Sequence, residues 1–492
     1  MSLSVVLEEN IAVLKQKLPI GKSFDIVTRE MTLCGVDAYW VGINGMCKTD
    51  TLQKLFGYLQ NPAYLSIQSE FSSKEGELLE NIQKFAASKI GYVQTELCDD
   101  WDTICKNIVS GPTALFLNGC AQAVILDVRT YPARGIEEPD VEKVTRGSRD
   151  GFVETMLFNT NLIRRRIRSN HLTFEIMSVG TDSKTDVALA YVGGLVEKEL
   201  LDKVKETIGN LKVSSLTMGT KSLEELLLRK HWYHPLPVVQ VTERPDVACS
   251  YLMEGHMIII VDNTPSVIIL PTTIFQFTQN VEDYYKSPLV GNYLRWMRFA
   301  CVWISLLLLP VFMLIAGYYP ELADQIKLME TEPLTKERLF FYVLAVDFGL
   351  DLFRYSSAHS TSRFSGAMSI VGGLIIGDIA VQLNWASVEV IFYAALTLLA
   401  TMSLPSIEFG EGLRIYRLVL ILTTGFFGPV GFWIGLALVL LSTVTTPTFS
   451  HKSYLWPLAP FNWKALKTLL WRCPTFKAQP SRVWDRTEKK RA

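Results

Sequence analysis

Apolar and polar positions follow two different rhythms along the chain. Up to about residue 298 they are mixed in short alternating or helical patterns, whereas residues 299–446 carry apolar runs too long for a globular core. In the first part, strands are predicted at 24–27, 36–42, 113–117 and 122–128, the last two flanking the turn signal Asn118-Gly119. Helical spacing covers 49–59 and 77–87, and the Pro-, Gly- and charge-rich stretch 130–147 reads as a linker. Beyond it, helices are predicted at 150–168, 197–208, 222–229 and 246–254. Strands are predicted at 172–179, 187–192, 238–242, 257–261 and 266–270. Ser222-x-x-Glu225 reads as a capping box opening the third of those helices. Alternating helices and strands argue for two α/β units, with no strong repeat between them.

The apolar part reads as a series of membrane segments. Residues 299–319 hold no charge over 21 positions and end on Tyr318 and Tyr319. At 1.5 Å per residue such a helix spans the hydrocarbon core of about 30 Å. Arg295 and Arg298 precede it and place the preceding units on the positive, cytoplasmic side. A loop at 320–338 with five acids and three bases suits the outside. Residues 339–354 carry Asp347, Asp351 and Arg354 along one face, so that face must meet protein or water. A salt-bridged helix inside the bundle and a pore lining both satisfy that demand. The segment 366–383 places Ser365, Ser369, Gly373 and Gly377 at steps of four, a ridge that lets another backbone approach. Asp378 sits beside it, either lining a cavity or solvated at the outer mouth. A fourth span is predicted at 386–405 and a charged loop at 406–417. The apolar run 418–447, interrupted by Gly425, Gly428 and Pro429, is too long for one straight span and reads as a kinked or re-entrant hairpin. The tail from Lys464 to Arg491 has nine basic residues against Asp485 and Glu488, which favours a cytoplasmic C-terminus.

Composition sharpens this picture more than it changes it. Mean hydropathy is +0.21 and formal net charge −1, which argues against a purely soluble enzyme and gives no global pull toward nucleic acid. The eight cysteines form no C-x-x-C pair and have no histidine cluster nearby, so they read as reduced and mostly buried, with no zinc site. No signal peptide is evident at the N-terminus. P-loop, G-x-S-x-G, H-E-x-x-H and dinucleotide fingerprints are all missing, so neither catalysis nor a cofactor is expected. The densest charge run is Arg164-Arg165-Arg166-Ile167-Arg168. It reads either as a solvated helix end or as a contact for phosphate, nucleic acid or lipid, and no interleaved aromatics support nucleic acid.

Several long stretches resemble the A subunits of the GerA-type spore germination receptor family. They are RGSRDGFVETMLFNTNLIRRRIR (146–168), SKTDVALAYVGG (183–194), TERPDVACSYLMEGHMIIIVDNTPSVIILP (242–271), EDYYKSPLVGNYLRWMRF (282–299) and AMSIVGGLIIGDIAVQ (367–382). The resemblance implies a cytoplasmic two-subdomain α/β region, 1–145 and 146–290, followed by an α-helical polytopic membrane bundle at 291–449 and a basic cytoplasmic tail at 450–492. It further implies residence in the spore inner membrane, other germination membrane proteins as partners, and a homo-oligomer, possibly pentameric, forming a channel that releases monovalent cations. In that frame Ser365, Ser369, Gly373, Gly377 and Asp378 are pore or packing residues. Asp347, Asp351 and Arg354 are intramembrane charges, and Arg164, Arg165 and Arg166 serve assembly. A non-conducting signalling or scaffold subunit coupled to germinant receptors is the alternative. A secondary transporter should show inverted hydropathy repeats, and none is visible.

Overall fold

The computed structural model describes residues 3–33, 36–60, 94–131, 142, 146–227, 233–325, 335–358, 381–382, 387–449 and 453–472. The chain forms two compact units, one of Met1–Arg229 with Val241–Pro271 and one of Lys230–Gln240 with Thr272–Ala478.

The first unit contains two five-stranded sheets. Strands β1 (Ile26–Leu33), β2 (Val36–Ile43), β3 (Thr95–Cys98), β4 (Thr113–Leu117) and β5 (Ala123–Leu126) lie in the order β1-β2-β4-β5-β3. Strands β6 (Leu172–Val179), β7 (Thr185–Val192), β8 (Gln240–Thr242), β9 (Met257–Val261) and β10 (Val267–Leu270) lie in the order β6-β7-β9-β10-β8. The two orders are the same once the second set is renumbered from one. The internal repeat that the sequence pattern does not show is therefore present in the topology. Each sheet opens with an antiparallel hairpin of eight-residue strands, Ile26 facing Ile43 and Leu172 facing Val192. Beside each hairpin lie two short strands buried at every position, as in MIIIV of β9 and VIIL of β10. Continuous apolar runs of this kind belong to strands covered on both faces. In the first sheet one face buries Leu14, Val41, Trp101 and Ile104, and the other buries Leu52, Leu115, Val124 and Leu126.

Local chemistry explains several boundaries. The helix Trp101–Ser110 starts where the Asp100 carboxylate accepts the Thr103 N–H at 2.9 Å, and ends at Gly111 with φ 113°. The turn at Asn118-Gly119, with Gly119 at φ 87°, joins β4 to β5 as predicted. The helix predicted at 150–168 is Met156–Arg166, because Phe152 N–H is spent on the Glu243 carbonyl and Val153 N–H on the Asn159 side chain. The Ser222 capping box is not formed. That helix begins at Thr220, and Ser222 Oγ takes the N–H of Met218 instead. The helix predicted at 77–87 lies outside the described residues. Of the cysteines described, Cys98, Cys105, Cys120 and Cys249 are buried and Cys47 and Cys301 half-buried, all as free thiols.

The second unit is helical. Its long elements are Pro288–Tyr318, Lys336–Ala358, Val388–Met402 and Ile407–Thr445. Pro288–Tyr318 and Ile407–Thr445 are long and apolar enough to cross a membrane. Two expectations change here. Arg295 and Arg298 do not precede the first apolar helix but lie within it, buried, because Pro288 begins the helix a full two turns earlier. Residues 406–417 are not a loop: Ser406 Oγ caps the N–H of Phe409, and the helix runs from Ile407. The predicted break at 428–429 is real. Gly428 has φ 63° and ψ −143°, and the chain reverses there. Tyr416 Oη and Ser442 Oγ, 26 residues apart in sequence, are hydrogen-bonded at 2.8 Å, so Ile407–Thr445 is a hairpin of two packed arms.

Candidate functional site

The hairpin is built by glycine. A Cβ on Gly431 would strike the Thr423 carbonyl, one on Gly435 the Thr423 side chain, and one on Gly425 the Phe340 ring. Steps of four put Gly431 and Gly435 on one face of the second arm, so the arms meet backbone to backbone. At the tip, a Cβ on Gly428 would stand 2.8 Å from the Tyr318 ring. Pro429 follows, its fixed φ suited to the first turn of the second arm. The small-residue ridge expected at Ser365, Ser369, Gly373 and Gly377, and Asp378 beside it, lie outside the described residues. Among those described, the hairpin carries such a ridge.

Against the first arm of this hairpin lies Lys336–Ala358, and the two helices share a ladder of charge. Arg417 pairs with Asp347 at 2.8 Å, Arg414 with Asp351, and Arg354 with Glu411 at 2.8 Å. Along one helix the signs run minus, minus, plus at 347, 351 and 354. Along the other, in antiparallel register, they run plus, plus, minus at 417, 414 and 411. The ladder is neutral as a whole. It is also graded: side-chain exposure is 3%/8% for Arg417–Asp347, 17%/28% for Arg414–Asp351 and 20%/52% for Arg354–Glu411. The buried rung reaches furthest. Arg417 Nη1 also donates to the Ser305 carbonyl at 3.1 Å, and Ser305 and Thr401 hydroxyls are bonded at 2.7 Å. One guanidinium thus ties together the Lys336–Ala358 helix, the hairpin and Pro288–Tyr318, and through Ser305 also Val388–Met402.

Asp347, Asp351 and Arg354 stand out in the sequence but their partners do not, because Glu411, Arg414 and Arg417 fall in a segment that reads as a loop. The complementary sign order of the two triplets is the signal that was there to be read. Each of the three has a partner of opposite sign on the facing helix, which is the pairing a salt-bridged helix requires.

The arginine run in the first unit is likewise divided. Arg164 is fully buried and pairs with Asp25 at 2.7 Å, donating also to the carbonyls of Ser169 and Leu172 at 3.3 and 3.1 Å. Arg165 is exposed, its guanidinium 4.6 Å from the Tyr131 ring centre. Arg166 pairs with Asp150 at 2.6 Å. The run is therefore not one solvated helix end. Successive residues advance 100° around a helix, so three neighbours meet three environments.

Comparison with known proteins gives matches along nearly the whole chain. A family model described as Bacillus/Clostridium GerA spore germination protein matches residues 13–482. The chain is 35% identical over 471 residues to stage V sporulation protein AF of Bacillus subtilis (strain 168), covering 95% of this chain and 93% of that one. It is 29% identical over 458 residues to the uncharacterized membrane protein YfkQ of the same organism, covering 92% of this chain and 86% of that one. Among solved structures, the N-terminal domain of the A subunit of the Bacillus megaterium spore germinant receptor GerK3 matches with 24% identity and a TM-score of 0.41, over 55% of this chain and 96% of that domain. The chain belongs to the GerA spore germination protein family.

Proposed function

We propose that this protein is a membrane-embedded subunit of the germination apparatus, and that it assembles with copies of itself, as a pentamer, into a channel releasing monovalent cations from the spore core. The observation that carries the membrane reading is the outer face of the helical unit. Phe426, Phe427, Val430 and Trp433 at the hairpin tip are about two-thirds exposed or more, while Arg417 and Asp347 of the same helices are buried against each other. Apolar outside and charge inside is the arrangement a bilayer favours. The basic tail and the arginines near the start of the first apolar helix favour both termini on the cytoplasmic side of the spore inner membrane. In this reading Ser365, Ser369, Gly373 and Gly377 pack copies around an axis and Asp378 draws cations to it. Assembly contacts from the arginine run fall to Arg165, since Arg164 is buried. Other germination membrane proteins are the expected hetero-partners.

A second reading is favoured by one observation. The ladder is neutral as a whole and its charges are paired with one another, which suits a non-conducting scaffold or signalling subunit coupled to germinant receptors. Ion release from liposomes containing the purified full-length protein decides between them. A channel gives cation flux that Asp378→Asn lowers without changing the crosslinked oligomer. Flux no higher than in empty liposomes would leave the scaffold.

A further inference from the structure

The start of the Pro288–Tyr318 helix gathers more positive charge than the described residues around it neutralise. Arg295, Arg298 and Arg472 converge on the single buried carboxylate of Asp283 and its backbone. Arg298 donates Nε to the Thr278 carbonyl at 2.9 Å and Nη2 to the Asp283 carboxylate. Arg472 donates to the carbonyls of Lys286 at 2.7 Å and Tyr284 at 3.0 Å, and to that of Asp283. Carbonyls satisfy hydrogen bonds but carry no charge. The neighbouring Glu282 pairs with Lys286 at 3.3 Å, so among the described residues the three arginines face one carboxylate.

Donors are in excess as well. Arg295 is only 1% exposed, and Nη1 donates to the Leu469 carbonyl at 2.8 Å. Its Nη2 has no hydrogen-bond partner among the described residues, and its Nε stands 3.5 Å from Asp283 without forming a hydrogen bond. Arg472 Nε is likewise without an acceptor among them, and Asp283 Oδ1 is free to hold a water alongside. A buried guanidinium with idle N–H groups is costly unless an acceptor arrives. The acceptor that best matches guanidinium geometry and excess positive charge is a phosphate oxyanion.

The rim says where the phosphate comes from. Tyr293, Trp296 and Trp471 stand exposed around the cluster, and Trp296 and Trp471 meet edge to face at 5.4 Å. Leu289, 82% exposed, lies one turn before. The uncharged part of the helix begins at Phe299. Exposed tryptophan and tyrosine beside basic residues, at the foot of an apolar helix, is the composition of a headgroup layer. We propose that Arg295 and Arg472 form a binding site for the phosphate of an anionic phospholipid, in the leaflet where this helix enters, with Asp283 holding the guanidinium groups from behind. The proposal rests on the membrane reading above.

The test uses the full-length chain in nanodiscs of phosphatidylcholine with and without phosphatidylglycerol, with lipid retained after detergent extraction identified by mass spectrometry. Wild type should retain phosphatidylglycerol above its share of the disc and melt at a higher temperature when it is present. Arg472→Gln, at a half-buried position outside the apolar helix, should insert equally and retain about fivefold less, the loss expected of one basic contact at an anionic surface. Arg295→Lys, which keeps the charge but not the fork, should lower retention as well. Equal retention by wild type and Arg472→Gln, or no enrichment by an inserted wild type, overturns the site. Stabilisation by inorganic phosphate in detergent equal to that by phosphatidylglycerol overturns the lipid source. Failure to enter discs at all overturns the membrane reading instead.

Discussion

Arg164 in the α/β unit and Arg417 in the helical unit are both buried arginines facing one carboxylate, yet they are held differently. Around Arg164 the shell is closed. Asp25 takes its guanidinium and the Ser23 hydroxyl, Ser23 Oγ takes the Phe174 N–H, and the Phe174 ring centre lies 5.1 Å from the guanidinium carbon. The pair joins segments 139 residues apart within one dry node. Arg417 is instead the inner end of a ladder whose rungs grow steadily more exposed, and its Nε finds no acceptor among the described residues. A closed node contributes through one interaction that cannot be weakened piecemeal. A graded ladder contributes mostly through its driest rung, because water screens the outer ones.

Breaking the node should have the largest effect. Asp25→Ala leaves Arg164 charged with no exit to water and should cost about 3–5 kcal/mol, read as a drop in thermal midpoint of the full-length protein. Asp25→Leu combined with Arg164→Met should recover most of that loss, since removing both charges removes the burial cost as well. If the double variant is as unstable as the single, the pair is not what Arg164 contributes.

The ladder should give a series rather than a single number. Arg417→Met strands Asp347 and should cost about 3 kcal/mol. Asp351→Ala should cost about 1 kcal/mol, and Arg354→Ala under about 0.5 kcal/mol, within the range of exposed pairs. Denaturation in detergent measures all three, and added salt should narrow the outermost difference most. Equal costs along the series would mean that burial does not grade it.

Gly428→Ala tests the hairpin that carries one side of the ladder. Its φ of 63° with ψ of −143° suits glycine alone, and the Tyr318 ring leaves little room. The expected cost is about 1–3 kcal/mol, with loss of crosslinking between cysteines placed at 416 and 442 if the arms splay.

The smallest effect is a pH profile in the second sheet. Burial raises Glu254 to about 7 from 4.5, so the stability it allows is full below pH 4.5 and is lost as pH rises through about 7. Burial lowers His256 to about 3 from 6.5, so its share is full above pH 6.5 and is lost as pH falls toward 3. Glu254→Gln should remove the fall in melting temperature between about pH 4.5 and 7 and leave the His256 limb below it. An unchanged fall over that window would remove Glu254 as its cause.

What could be read in advance follows a physical line. β4, β6 and β9 appear in the sequence at their observed bounds because their apolar runs are local. Gly428-Pro429 is legible as a break because backbone preference is a property of the residue itself. The helix Trp101–Ser110 is equally local, with its signals in the cap residues Asp100 and Gly111, which the periodicity of the apolar positions does not use. The segment 406–417 was misjudged for a different reason. Glu411, Arg414 and Arg417 look like a solvated loop until Asp347, Asp351 and Arg354 are set opposite them.

By itself, then, the amino-acid sequence determined the periodicities, the apolar lengths, the caps and breaks, and the family to which the chain belongs, because each is carried by neighbouring residues or by their order. Only the tertiary structure decided that two sheets share one strand order, that Arg164, Arg165 and Arg166 part company, and that the charges at 347–354 are neutralised from 411–417. Strand pairing and ion pairing join residues tens to more than a hundred positions apart. The free energy of a charge depends on which partner the fold brings to it and on how much water is left between them.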